Sequence, residues 1–277
     1  MTTAVASRTH GWSWLRPAVA AGTLAFLVWR LGTGPFLDGV RAVDGGALAA
    51  ASALAALTTV CCAWRWRLVA RGFGVDLPLG TAVAAYYRSL FLNLTLPGGV
   101  LGDVHRGVRH GLRAVIWERS AGQVVQIVLT VAVLLALPSP VHATMPLIAL
   151  ALLVAATGVV IVARVRVPRG VWLPVAFASA LVVAGHAATF LIAAHTVGVT
   201  APASRMVPLA LIVLLGAALP NVGGWGPREG VTAWAFAASG LGAASGVATA
   251  VAYGVMVFAA SLPGAAFLLA RQGVADV

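Results

Sequence analysis

The chain has 277 residues, 61% of them hydrophobic and 9% charged, with a mean hydropathy of +0.98. That composition excludes a soluble globular domain and describes an all-α polytopic integral membrane protein. The net charge of +11 comes from 18 basic residues, all arginine; they stand at the ends of apolar runs rather than on one soluble face, which argues against a nucleic-acid partner and fits the positive-inside pattern.

About 20 apolar residues cross a bilayer as a helix. Residues 15–33 make the first span, bracketed by Trp12 and Trp14 on one side and Trp29 on the other, as interfacial tryptophans are. The run from Arg8 to Leu31 imitates a signal peptide, but no convincing small-x-small cleavage site follows it. A short loop with Asp38, Arg41 and Asp44 leads to a second span, 45–63, which ends in W-R-W-R at 64–67 and Arg71 and reads as a cytoplasmic end. Cys61 and Cys62 are adjacent in that apolar run, so they read as packing residues rather than a disulfide or metal ligands.

The next apolar segment, 79–97, carries Tyr86, Tyr87, Arg88 and Asn93 and stops at Pro97-Gly98-Gly99. Residues 103–119 are the most polar part of the chain, with Asp103, Arg106, Arg109, Arg113, Glu118 and Arg119, and with His105 and His110 between. Spans at 120–137, 143–163 and 171–195 follow, separated by a P-S-P turn and by Arg164, Arg166 and Arg169. If that arginine loop is cytoplasmic, so is 103–119, and 79–97 re-enters the membrane instead of crossing it. In the second half, 206–219 and 231–244 are short for a crossing and flank L-P-N-V-G-G-W-G-P-R-E at 219–229; the last span, 246–270, returns to the cytoplasm at Arg271. The expectation is one transmembrane domain over 1–277 with about six to eight transmembrane helices, both termini cytoplasmic, and two Gly/Pro breaks, at 93–106 and 219–229. Entered from opposite sides, the breaks would form an inverted repeat, and such interrupted segments in corresponding places point to a transporter's central site. Tight turns between full spans are the plainer alternative.

Non-helical backbone at membrane depth is tolerated only inside protein or around a water-filled cavity. The glycines Gly98, Gly99, Gly102, Gly223, Gly224 and Gly226 let that backbone approach a ligand closely, and the helix starts after each break offer N–H groups to an anion, the second opening on Pro227. Arg106 and Arg228 add charge and a fork suited to phosphate oxygens. A charge at mid-membrane costs about 2.5–3.5 kcal/mol, so Asp103, Arg106, Arg228 and Glu229 are candidate site residues; they could instead only pair with one another to hold the halves together. Asn93 and Asn221 either bond a headgroup or cap exposed backbone. Glu118-Arg119 reads equally as an ordinary interface pair. His186 and His195 read as packed and hydrogen-bonded, His105 as a titrating group in the first motif, and Tyr86, Tyr87 and Trp225 as packing or as a lipid path.

The pieces W-R-W-R (64–67), Y-Y-R-S-L-F-L-N (86–93), L-P-G-G-V-L-G-D-V-H-R (96–106), E-R (118–119) and G-G-W-G-P-R-E (223–229) resemble the lysylphosphatidylglycerol synthase transmembrane-region family, a flippase-like membrane domain also found fused to aminoacyl-phosphatidylglycerol synthases. Leu101 stands where the family often has another glycine. The resemblance implies a lipid-translocating part without the soluble aminoacyl-transferring domain. The two breaks and the charges beside them give the candidate substrate site: Asn93, Pro97, Gly98, Gly99, Gly102, Asp103, Arg106, Asn221, Gly223, Gly224, Gly226, Arg228 and Glu229. The function expected is a flippase or transporter moving a phosphate-bearing lipid, anionic or aminoacylated, between leaflets of a bacterial plasma membrane. The partner is a phospholipid or polyprenyl phosphate headgroup; no cofactor, metal or catalytic residue is assigned. Without lysine the chain has no P-loop. The other readings are a membrane enzyme acting on a lipid or polyprenyl phosphate, with Asp103 or Glu229 as base, and a non-transporting subunit serving a lipid-modifying enzyme.

Overall fold

Among the residues that the computed structural model describes, 6–96, 100–137, 154, 157, 169–217 and 221–272, every regular element is a helix. In hydrocarbon each backbone N–H and C=O needs an internal partner, and the helix supplies both from its own segment. Eleven helices are described: α1 (Ala6–Leu31), α2 (Gly34–Arg41), α3 (Gly45–Gly72), α4 (Leu79–Thr95), α5 (Leu101–His110), α6 (Leu112–Ala136), α7 (Trp172–Thr196), α8 (Ala203–Gly216), α9 (Pro227–Ala238), α10 (Ala243–Ser261) and α11 (Pro263–Gln272). Four stretches are long and apolar enough to cross a membrane: Gly45–Gly72, Leu112–Ala136, Trp172–Thr196 and Ala243–Leu269. The expected span 143–163, apart from 154 and 157, and the break residues Pro97, Gly98 and Gly99 lie outside the described residues, as do residues 218–220.

Two boundaries differ from the expectation. The loop after the first span holds the eight-residue helix α2, and Asp44 then starts α3 by accepting the Ala47 N–H at 2.7 Å. The second span does not end at residue 63: α3 runs on to Gly72, with Arg65 and Trp66 buried inside the protein, and Gly74 in the left-handed region (φ 78°) closes it. Arginine signals a span end only when water is its sole partner, and here Arg65 has a carboxylate within the fold.

The chain repeats itself in packing. In the first unit a long helix (α3) is followed by α4, a break, the ten-residue α5, a glycine turn at Gly111 (φ 99°) and the long α6. In the second unit a long helix (α7) is followed by α8, a break, the twelve-residue α9, glycine turns at Gly240 and Gly242, and α10. At 1.5 Å per residue, α5 and α9 are about 15 and 18 Å long, near half the hydrocarbon thickness. Exchanging the two units leaves the neighbours unchanged: α3 packs on α10 as α7 packs on α6, and α4 on α10 as α8 on α6. The units meet along α3 and α7, where Arg65 bonds Ser179 and Thr58 lies against Gly185. Ascending numbers on one helix face descending numbers on the other, so α3 and α7 are antiparallel, as two repeats of opposite orientation require.

Outside this pair, α2 packs on α10, with Gly39 against the Ala248 carbonyl, and α1 packs on α9, where Gly226 touches Ala20 and Gly230 faces Thr23. The largest core cluster, with Phe190, Met206, Phe236 and Met256, joins α7 to α8, α9 and α10, and a second, with Trp66, Tyr86 and Val115, joins α3 to α4 and α6. Cys61 and Cys62 are buried free thiols in α3, the packing role expected of them.

Candidate functional site

The first break is held by side chains that replace missing backbone partners. Asn93, in the last turn of α4, accepts the Gly102 N–H at 2.8 Å and so satisfies an open amide at the start of α5. Its Nδ2 donates to Asp103 Oδ2 at 2.9 Å, and the Ser89 hydroxyl donates to Oδ1 at 2.9 Å. Gly102 is required here because a Cβ would collide with the Ser89 carbonyl. Of the two alternatives the sequence left for Asn93, headgroup bonding and capping of exposed backbone, the structure shows the cap.

Asp103 opens onto a cluster drawn from α3, α4, α5 and α6. Arg106 Nη2 bonds Asp103 at 3.0 Å and Glu118 at 3.1 Å, Arg119 also bonds Asp103, and Arg65 binds Glu118 through Nε at 2.9 Å and through Nη2. Tyr86 donates to Glu118 at 3.2 Å, and Arg65 Nη1 donates to Ser179 of the second unit at 2.9 Å. Gly122, one turn beyond Glu118, leaves the space that the Arg65 guanidinium fills. Arg106 is 1% exposed and lies between two aromatic faces, 4.5 Å from the Trp66 ring centre and 4.2 Å from that of Tyr86. Among the described residues, its Nε and Nη1 have no hydrogen-bond partner.

Within 103–119 the polar residues divide: Asp103, Arg106 and Glu118 are buried and satisfy one another, whereas Arg109 and Arg113 are exposed. One expectation is corrected: Glu118 is no ordinary interface residue but the fully buried centre of the cluster, at 0% exposure. Arg65, Trp66, Ser89 and Ser179 complete a site of which the sequence singled out Asn93, Gly102, Asp103 and Arg106 and left Tyr86 and Glu118-Arg119 weighed but unassigned.

The second break is local. Asn221 accepts the Gly224 N–H at 2.9 Å, and Val222 and Trp225 exchange backbone bonds around Gly223 (φ 59°) and Gly224 (φ 82°), a tight turn that needs two left-handed residues. Pro227 opens α9, and Glu229 reaches back to the Gly226 N–H at 2.6 Å. The other oxygen of Glu229 receives Arg228 at 2.6 and 3.0 Å. Arg228 lies over Trp225 and Tyr253, at 5.3 and 5.4 Å, in space left by Gly254 of α10. Each unit thus sets an arginine of its half-helix against one tryptophan and one tyrosine.

The breaks adjoin. Gly223 sits so close to the Leu94 carbonyl that a Cβ would come within 2.7 Å of it, and Gly224 touches the Leu94 side chain. Leu94 is the residue after Asn93, so the second loop rests on the last turn before the first break. Leu94 also stands in the wall of a cavity of about 60 Å³. Neither arginine lines it, but a neighbour of each does: Tyr86, whose ring covers Arg106, and His186, bonded at 2.9 Å to the hydroxyl of Tyr253, whose ring lies over Arg228. Thr58, Cys62, Leu94 and Ser261 complete much of its wall.

No curated protein and no solved structure matches the chain. A family model, the lysylphosphatidylglycerol synthase TM region, matches residues 13–171, more than half of the chain, covering the first break and its charge cluster and stopping at the start of α7. On that match the chain belongs to the lysylphosphatidylglycerol synthase TM region family, a membrane-protein family of lipid metabolism or transport.

Proposed function

We propose that the protein is a lipid flippase or lipid transporter that moves a phosphate-bearing lipid between the leaflets of the cell membrane. One observation supports this reading: two half-helices of oppositely oriented units each set a buried arginine, Arg106 and Arg228, against a tryptophan and a tyrosine beside adjoining backbone breaks. The headgroup phosphate engages the arginines while the tails stay in lipid. Rocking of one unit against the other along α3 and α7 then exposes the headgroup to either side.

The test is exchange of fluorescent phosphatidylglycerol between leaflets of liposomes holding the purified protein, beside Arg106→Ala and Arg228→Ala. Exchange by the wild type, lost at least about tenfold in either folded variant, is the expected result. No exchange by well-reconstituted protein, with or without an imposed ion gradient, would sink the transport reading.

A further inference from the structure

The buried polar atoms of the protein do not balance. Three carboxylates are buried among the described residues, Asp103, Glu118 and Glu229, and every one of their oxygens already accepts. Asp103 Oδ1 takes Ser89 and Arg106, and Oδ2 takes Asn93 and Arg119. Glu118 Oε1 takes Arg65 and Tyr86, and Oε2 takes Arg106. Glu229 Oε1 takes Arg228, and Oε2 takes the Gly226 amide.

Donors are in surplus instead. Each buried side-chain polar atom left without a partner among the described residues is an N–H: Arg106 Nε and Nη1, Arg67 Nε, and the indole nitrogens of Trp66 and Trp172. Three of these five belong to Arg106 and the ring stacked on it. Charge leans the same way, since four arginines are buried, Arg65, Arg88, Arg106 and Arg228, against the three carboxylates. The cavity wall carries no carboxylate, and its hydroxyls at Thr58, Thr189 and Ser261 donate to carbonyls of their own helices. The aromatic faces of Trp66, Tyr86, Trp225 and Tyr253, which could cage an ammonium, are each covered by an arginine.

A ligand that brings only acceptors would satisfy such a site, and one that adds a cation would leave a further donor buried without a partner. We infer that the site selects a lipid whose headgroup is an anionic phosphate without an ammonium, such as phosphatidylglycerol or a polyprenyl monophosphate, and discriminates against the aminoacylated form. This selectivity rests on the site assigned under the proposed function, but not on movement between leaflets.

Binding is therefore measured apart from transport, by native mass spectrometry of the full chain in detergent with phosphatidylglycerol, its lysyl ester and a polyprenyl monophosphate. Tighter binding of at least one ammonium-free lipid than of the lysyl ester, by about tenfold or more, is expected, and Arg106→Gln should abolish the difference. Which of the two binds better separates the phospholipid source from the polyprenyl source. Equal or tighter binding of the lysyl ester would overturn the inference. So would a preference that survives in folded Arg106→Gln, because it would report only the protein's overall positive charge. Should Arg106→Gln fail to fold, Thr59→Asp decides: a carboxylate added to the cavity wall should raise binding of the lysyl ester, and an unchanged ranking counts against the inference. Selective binding without leaflet exchange would remove the transport reading and leave the selectivity standing; exchange with the lysyl ester bound best would do the reverse.

Discussion

The two arginine sites solve one problem by different means. Arg228 is neutralised by the residue beside it, and that same Glu229 caps the helix both belong to, so the second site is complete within Gly226–Glu229 apart from the rings around it. Arg106 belongs to a network that needs α3, α4, α5 and α6 in place, reaches Ser179 of α7 through Arg65, and still leaves two donors open. A site built locally forms with its helix, whereas a site built from separated segments forms only when the fold closes. The first site is therefore the one whose integrity is most tightly joined to the closing of the whole fold.

The sharpest way to break this contrast is Glu118→Gln. The amide would set its own N–H groups among Arg65, Arg106 and Tyr86, strand the Arg65 guanidinium and leave Arg106 with Asp103 as its one bonded carboxylate, so a loss of about 3–5 kcal/mol is expected. Thermal unfolding of the detergent-solubilised protein measures it. Glu229→Gln should cost less, about 2 kcal/mol, because the amide oxygen can still accept the Gly226 N–H while only one arginine loses its counter-charge. Equal losses in the same melting experiment would erase the distinction between a distributed and a local site. The smallest effect is expected of the paired changes Tyr86→Phe and Tyr253→Phe, about 1 kcal/mol each, since the rings still cover the arginines and only the hydroxyl contacts to Glu118 and His186 go. In a leaflet-exchange assay Tyr86→Phe should be the more damaging of the two, because its hydroxyl bonds the carboxylate that holds Arg106.

The local site was the more legible. Pro227-Arg228-Glu229 after a run of glycines contains its own cap, its own ion pair and its own break, all within a few residues. Asn93, Asp103 and Arg106 were readable on the same grounds, as polar groups beside a glycine break in an apolar chain. Arg65 and Glu118 were not. They stand 53 positions apart, and at each of them the usual rule that charge marks a span end gave an answer that only the partner could overturn. One signal was available: Cys62, Arg65, Trp66 and Val69 share a face of α3, so reading W-R-W-R at helical spacing would have turned its second residue inward. The all-α membrane class and the short helices beside the breaks followed from length and Gly/Pro punctuation, whereas the antiparallel seating of α3 on α7 needed contacts between residues more than a hundred positions apart.

At Leu94 and Gly223 the hairpins touch backbone to backbone, with no layer of side chains between them to absorb a displacement. Soft packing dissipates motion through rotamer changes, but a carbonyl against a bare α-carbon has no such slack. The end of α4 and the loop before α9 therefore mesh like teeth, and a single added methyl at residue 223 would act as a wedge between them.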